Sequence, residues 1–372
     1  MLETIREFGL ERLSESGETD AVRRRQVAFF LALVEQAEPA LLGPEQLTWL
    51  TRLEAEHDNL RTALDWAIGR EETALQLAAG LAVFWLFRGH LSEGRGWLER
   101  ALEARGEPGP VYMQALVAAG EIARHLGDYE RAAALQESGL ALARTFGDRR
   151  AEARALLALG FLAGNVDGDF ARAETLTEES LGLWRTLDEA WGIARALNNL
   201  GYGAYLRGDF GRAAALLDEA VAVAREAGDR SLLVYVLDSR GALAAAQGEL
   251  RRAAGLYQEA LALAQEIANP IAVALALSAL AGVVAKRGQP ASAARILGAA
   301  SALMEAIGAS MTTEDEARVA ETVSTAREFL GEVAFAAAWE EGRAQPLDQA
   351  VAEALALGEE LARSMPTNNQ AG

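Results

Sequence analysis

Asn198-Asn-Leu-Gly-Tyr-Gly-Ala-Tyr-Leu-Arg-Gly-Asp-Phe-Gly-Arg-Ala-Ala-Ala-Leu-Leu-Asp-Glu-Ala220 decides the fold. Two stretches rich in small and apolar residues flank the turn Gly208-Asp-Phe. Related turns stand at Gly89-His-Leu, Gly127-Asp-Tyr, Gly168-Asp-Phe, Gly248-Glu-Leu and Gly288-Gln-Pro. In chain order the six glycines are 38, 41, 40, 40 and 40 residues apart. A fixed period in this range marks a solenoid whose unit is one helical hairpin. Each glycine is expected to end a helix in the left-handed conformation that a Cβ disfavours. The acid or amide after it is placed to cap the next helix, where free N–H groups and the positive dipole end meet.

Working outward from the turns, small residues recur five positions later: Gly94, Ala132, Ala173, Ala213, Ala253 and Ala293. Others stand seven before: Gly120, Gly201, Gly241 and Ala281, with Gly160 eight before Gly168 and so accounting for the spacing of 41. Small residues on both partners let paired helices cross closely. Eight past each glycine comes a large apolar residue (Trp97, Leu135, Leu176, Leu216, Leu256, Ile296), and twelve past it a small one (Ala101, Gly139, Ser180, Ala220, Ala260, Ala300). This alternation resembles the tetratricopeptide repeat (TPR), whose standard unit is about 34 residues. The longer period here predicts a first helix extended by about a turn and a half, between a Gly-Asp or Asp-Glu turn and the next glycine.

Composition agrees. Hydrophobic residues make up 51% of 372, prolines number 8, and alanine and leucine outnumber β-branched residues, all favouring helix. The expected fold is all-α, a right-handed α-solenoid of TPR-like hairpins with extra helices at both ends. A net charge of −19, with Lys286 the one lysine, disfavours direct nucleic-acid binding, since a phosphate backbone needs basic residues to displace its counterions. With no cysteine there is neither a disulfide nor a thiolate metal site. Charged residues interrupt the first 16 positions, which argues against a signal peptide. The apolar runs 75–86 and 271–285 are short for a membrane span, so a cytoplasmic protein without membrane contact is expected.

Helical periodicity continues outside the turns, over 22–41, 46–68, a long helix from a capping box at Thr312 to about Glu341, and a last helix from Pro346 to about Arg363. The resulting organisation is an N-terminal helical region (1–88), a repeat array (89–309), C-terminal capping helices (310–363) and a disordered tail (364–372).

Four segments carry a wider resemblance. Met1-Leu-Glu-Thr-Ile-Arg-Glu-Phe-Gly-Leu-Glu-Arg-Leu, the stretch from Trp49 to Trp66, the stretch from Gly89 to Leu102 and the stretch from Ala338 to Val351 occur in the order seen in bacterial STAND-type regulators, including LuxR-like members. The resemblance implies the helical sensor that follows an ATPase and a winged-helix module, with a DNA-binding or cyclase module attached in some members. The chain departs from the family in having no P-loop, because Lys286 is flanked by Ala285 and Arg287 rather than the Gly and Ser/Thr that a phosphate cradle requires. A fragment, a truncated frame and a free-standing sensor all fit this departure.

No catalytic constellation is legible, and no cofactor is implied. His57, His90 and His125 are distant in sequence; His57 reads as a satisfied imidazole on an apolar helix face, His90 and His125 as capping or surface residues, and no metal site is expected. Binding is assigned instead to the first helix of each hairpin, which lines the concave side of a TPR array. Counting back from each glycine gives Gln114, Glu121, Arg124, Arg154, Arg195, Asn198, Tyr202, Tyr205, Tyr235 and Asp238. Amides such as Asn198 can grip a peptide backbone, and tyrosines supply apolar area with a polar tip. The alternative for both is structural: Asn198 bonding within its helix pair and the tyrosines filling space. The expected role is a non-catalytic interaction or ligand-sensing module for a protein or peptide, with the missing ATPase and winged-helix domains as one candidate partner. A free-standing TPR adaptor and a sensor of a small, sugar-like effector are the other readings.

Overall fold

Helices that pack on helices must end cleanly every few turns, and the turn residues accomplish this. A computed structural model describes residues 12, 13, 15–70, 72–104 and 108–363. The opening segment of the family resemblance falls almost entirely outside these residues, as does the tail. Among the described residues there are helices only: α1 (Thr19–Ala40), α2 (Gln46–Ala55), α3 (His57–Ala67), α4 (Thr73–Arg88), α5 (Leu91–Glu103), α6 (Pro110–His125), α7 (Tyr129–Phe146), α8 (Arg149–Asn165), α9 (Phe170–Leu187), α10 (Ala190–Leu206), α11 (Phe210–Ala227), α12 (Arg230–Ala246), α13 (Leu250–Glu266), α14 (Pro270–Lys286), α15 (Pro290–Ile307), α16 (Thr313–Leu330), α17 (Glu332–Ala344) and α18 (Leu347–Arg363). None is long and apolar enough to cross a membrane.

All six turn glycines have φ between 70° and 82°, the left-handed region expected of them. The caps follow where an aspartate is present: Asp128, Asp169 and Asp209 accept from the backbone N–H three residues on, at 3.0–3.3 Å. Glu249, Gln289 and His90 hold the same place without a side-chain cap. Between hairpins, Asp148, Asp229 and Asn269 cap α8, α12 and α14 in the same way.

Crossing of each pair is as close as the small residues imply. A Cβ at Gly201 would lie 2.7 Å from Leu217, and one at Gly241 2.4 Å from the Tyr257 ring, so neither helix could approach its partner with a larger residue there. The hairpins α6/α7, α8/α9, α10/α11, α12/α13 and α14/α15 stack in order. Two continuous cores run through the stack, one joining α1–α6 and one joining α8–α15 with α18. On the outer side, Arg144–Glu179 (2.8 Å), Arg185–Glu219 (3.3 Å) and Arg225–Glu259 (2.7 Å) tie successive second helices together.

Two expected helices are broken. The stretch 46–68 divides at Glu56 into α2 and α3. The long C-terminal helix begins as expected, with Thr312 Oγ1 accepting from the Asp315 N–H at 3.1 Å. It stops at Gly331, whose φ of 74° and ψ of 161° lie outside the helical region.

The largest departure from a simple solenoid is that its ends meet its middle. In an ideal array each repeat touches only its neighbours. Here Arg88 donates to the carbonyls of Ile267 (3.3 Å) and Ala268 (3.4 Å), nearly 180 residues away. Ser231 Oγ donates to Gln46 Oε1 (3.0 Å), Ser310 N to the His125 carbonyl (3.0 Å) and Tyr129 Oη to the Met311 carbonyl (3.1 Å). Gly89 abuts Pro270 and Ile307, and Gly228 abuts Pro44. The superhelix therefore returns on itself, and its concave side becomes a chamber rather than an open groove.

Candidate functional site

The chamber encloses a cavity of about 840 Å³. Its wall is formed by α1 and α4 and by the first helices of four hairpins, α6, α8, α10 and α12, because these present one face inward at 3.6-residue periodicity. Of the ten residues assigned to the concave face from sequence, Gln114, Glu121, Arg124, Arg154, Arg195 and Tyr235 line this cavity. Asn198, Tyr202 and Asp238 line an adjoining recess of about 130 Å³, which shares Arg124, Arg195 and Tyr235. Tyr205 lines a third recess beside α16.

The second group lies under the C-terminal helices. Asp238 accepts from Arg318 Nη2 of α16 at 3.2 Å, and Tyr202 packs against Tyr205 with ring centroids 5.4 Å apart. Tyr205 in turn stacks on Phe210 at 6.3 Å. Burial pushes the Tyr202 hydroxyl well above its usual range. Asn198 is 9% exposed, and its Oδ1 has no partner among the described residues.

Charge dominates the deep end of the main cavity. Glu121 Oε2 accepts from Arg124 Nη2 at 2.9 Å. Burial alone would raise the Glu121 carboxyl, but the guanidiniums of Arg124 and Arg195 pull it down to about 2. Arg124 also donates to Nε2 of His125 at 2.7 Å and covers the Phe161 ring at 4.7 Å. His125 is pushed well below its ordinary value by burial and then by the Arg124 charge, so its imidazole is neutral. It faces the chamber, contrary to the capping or surface place expected of it, because the returning segment at Ser310 covers the end of α6.

Arg154 and Arg195 are differently placed. Arg154 lies over Trp191 at 5.7 Å, and its closest carboxylate is Glu38 at 4.0 Å. Arg195 lies between Trp191 (5.9 Å) and Tyr235 (5.7 Å), with no ion pair or hydrogen bond among the described residues. Burial lowers both guanidiniums. Trp191, Phe161 and His125 were missed in the sequence reading. Trp191 was the most accessible, being four residues before Arg195 and so on the same helical face.

A second polar cluster lies where α2, α3, α4 and α5 meet. His57 and His90, distant in sequence, have ring centroids 4.4 Å apart. His57 Nε2 meets Glu93 Oε1 at 3.1 Å, and Glu93 is held by Arg61 (Nε 2.9 Å) and Trp97 Nε1 (3.3 Å). Burial lowers the His57 imidazole. Donor atoms of Glu54, His57 and His90 lie within 4.8 Å of one another, a spacing one cation can span. Arg88 Nε stands 3.7 Å from Glu54 and already supplies positive charge there.

Comparison with known proteins agrees with this architecture. Tetratricopeptide repeat models match residues 115–150 and 193–227. Three mycobacterial proteins, from Mycobacterium bovis and two strains of Mycobacterium tuberculosis, bear the name of an HTH-type transcriptional regulator. Each is 34% identical over 181 residues, covering 44% of this chain. The match spans only 20% of each relative's length. Among solved structures, a Rap protein complexed with competence and sporulation factor superposes with a TM-score of 0.65 at 15% identity, covering 93% of this chain and 96% of that one. The apo form of RapI gives 0.52 at 12% identity over 77% and 97%. At these identities the likeness concerns the fold.

Proposed function

We propose that this chain is the ligand-binding helical module of a larger bacterial regulator, and that it takes a peptide or a short extended segment of a partner protein into its chamber. The observation that carries the reading is the cavity itself, about 840 Å³, walled by aromatic rings and arginines from the first helices of four successive hairpins. Pockets of roughly 300–1,000 Å³ suit ligands of drug or short-peptide size. A folded domain would need an exposed patch of larger area, so a segment fits better than docking by a whole ATPase or winged-helix module.

Two further facts support the reading. Relatives named as HTH-type transcriptional regulators extend far beyond the matched fifth of their length, as a sensor within a longer protein would require. The neighbour of the same architecture was crystallised with competence and sporulation factor. Binding rather than catalysis follows from the chemistry of the wall: Glu121 is held by Arg124, His125 is a neutral acceptor of Arg124, and no nucleophile–base pair faces the cavity among the described residues.

The test is a melt of the purified chain with pooled random hexapeptides. Binding to the folded state adds about 2.7 kcal/mol of stability at a hundredfold excess over Kd and so raises the melting temperature. The shift should vanish in Tyr235→Ala. No shift with any pool, at concentrations up to millimolar, would remove the reading.

A further inference from the structure

We infer that the chamber reads a carboxylate on its ligand, and that Arg154 and Arg195 are the residues that hold it. The inference rests on the proposed function and adds the chemical class of the ligand's anchoring group.

Its basis is a pair of half-buried cations, of which Arg195 has no ion-pair partner among the described residues and Arg154 meets only Glu38, at 4.0 Å. Elsewhere in the molecule, shielded guanidiniums meet acids at contact distance: Arg240 with Asp218 (2.7 Å), Arg318 with Asp238 (3.2 Å), Arg295 with Glu353 (2.6 Å), Arg124 with Glu121 (2.9 Å). Arg195 has no such partner, and the Nε of Arg154 is buried without a hydrogen bond. Taking a charge out of water without a counter-ion is costly, so a fold keeps such a group where something else completes it. Of the acids that share the cavity, Glu35 is exposed and three others are already committed. Glu121 accepts from Arg124, Glu189 from Arg150 (2.8 Å), and Asp148 from the N–H of Ala151 at the start of α8 (3.0 Å). Glu38, at 4.0 Å from Arg154, is 47% exposed at the rim.

Geometry favours a carboxylate in particular. Arg154 and Arg195 stand on neighbouring first helices, α8 and α10, and both guanidiniums lie within 6 Å of the centre of one ring, Trp191. Both residues also line the cavity, so a ligand beside Trp191 lies within reach of both side chains. A guanidinium edge offers two parallel donors that match the two oxygens of a carboxylate, so a carboxylate beside Trp191 can be gripped in forked fashion. An ammonium or a neutral amide would find two like charges or an unanswered acceptor demand at the same place. The carboxylate can come from an acidic side chain or from a peptide's free C-terminus; both present the same chemistry.

The experiment compares hexapeptide pools of matched composition by quenching of tryptophan fluorescence. One pool has free C-termini and Asp and Glu at the random positions. A second is amidated and carries Asn and Gln instead. The wild-type chain should bind the first pool at least tenfold more tightly than the second. In Arg154→Gln/Arg195→Gln that ratio should fall to near one, with the circular dichroism spectrum unchanged. Arg195→Lys, which keeps the charge and loses the fork, should retain only part of the preference. Two mixed pools, acidic but amidated and neutral but free, assign the carboxylate to the side chain or to the C-terminus. Equal binding of the charged and neutral pools by wild type would overturn this inference and leave the proposed function standing. A preference that survives in the double variant would also overturn it. Failure of every pool to bind would take both down together.

Discussion

Two clusters of charge, both assembled from helices distant in sequence, are solved in opposite ways. Where α2–α5 meet, Glu93 joins Arg61, His57 and Trp97, and Glu54 lies between His90 and Arg88, so each acid faces a base. In the chamber, three guanidiniums surround Glu121, which is bonded to only one of them. In the first, every acid has a cationic or imidazole neighbour; in the second, Arg195 has no ion-pair partner among the described residues.

That contrast makes Glu121 the most sensitive position. Glu121→Gln removes the acid on which Arg124 and Arg195 both depend, and breaking a buried pair on one side costs roughly 3–5 kcal/mol. Urea unfolding should register this as a lower midpoint; a change within 0.5 kcal/mol would mean the arginines are solvated, and the contrast with the first cluster would collapse.

Acid titration probes the same carboxylate without mutation. Its folded value of about 2 lies below the ordinary 4.5, so the folded state favours the charged form. The resulting stability is fully present above about pH 4.5 and is lost as pH falls through about 2, amounting to ~3 kcal/mol at most. His125, also depressed, adds an earlier loss that begins as pH falls below 6.5. Glu121→Gln should flatten the acid limb and leave the earlier step; an unchanged acid limb in the variant would assign it to other groups.

At the closure between Gln46 and Ser231, a buried acid offers the converse test. Asp229 caps α12 and meets Gln46 Nε2 at 3.5 Å, but its Oδ2 is buried without a partner. Burial pushes its carboxyl up to about 6. Folding therefore favours the protonated acid: this contribution is present below pH 3.8 and lost as pH rises through about 6. Asp229→Asn, which keeps the capping oxygen, should raise stability at pH 7.5 by ~2 kcal/mol and have little effect at pH 4. A loss at pH 7.5 would show that the carboxylate charge holds α12 to the N-terminal helices. The smallest effect is expected at Arg61→Gln, about 1 kcal/mol, because Arg61 is half exposed and Glu93 keeps His57 and Trp97.

How much was legible beforehand follows from the range of each interaction. The glycine turns, the aspartate caps and the small residues at helix crossings act within one hairpin, so their spacing carries the repeat directly; Gly201 and Gly241 pack as their positions imply. The inward face of each first helix is likewise a matter of counting from the turn: six of the ten residues counted this way line the main cavity, and the other four line two further recesses. Counting does not reveal what covers them. Tyr202, Tyr205 and Asp238 sit beneath α16, whose Arg318 comes from 80 residues further on. The breaks at Glu56 and Gly331 were missed because periodicity persists across them while the chain direction changes.

By itself, then, the sequence determined the helical repeat, its period, its capped turns and the face each first helix turns inward, since all of these depend on residues within about 40 positions of one another. Only the tertiary structure decided that the array closes through Arg88, Gln46 and Ser310. It also decided that His57 joins His90, and that Arg154 and Arg195 share Trp191 with no ion-pair partner for Arg195 among the described residues. Small rotations between successive hairpins add up along the stack, and their sum is set by packing at every interface rather than by any local motif.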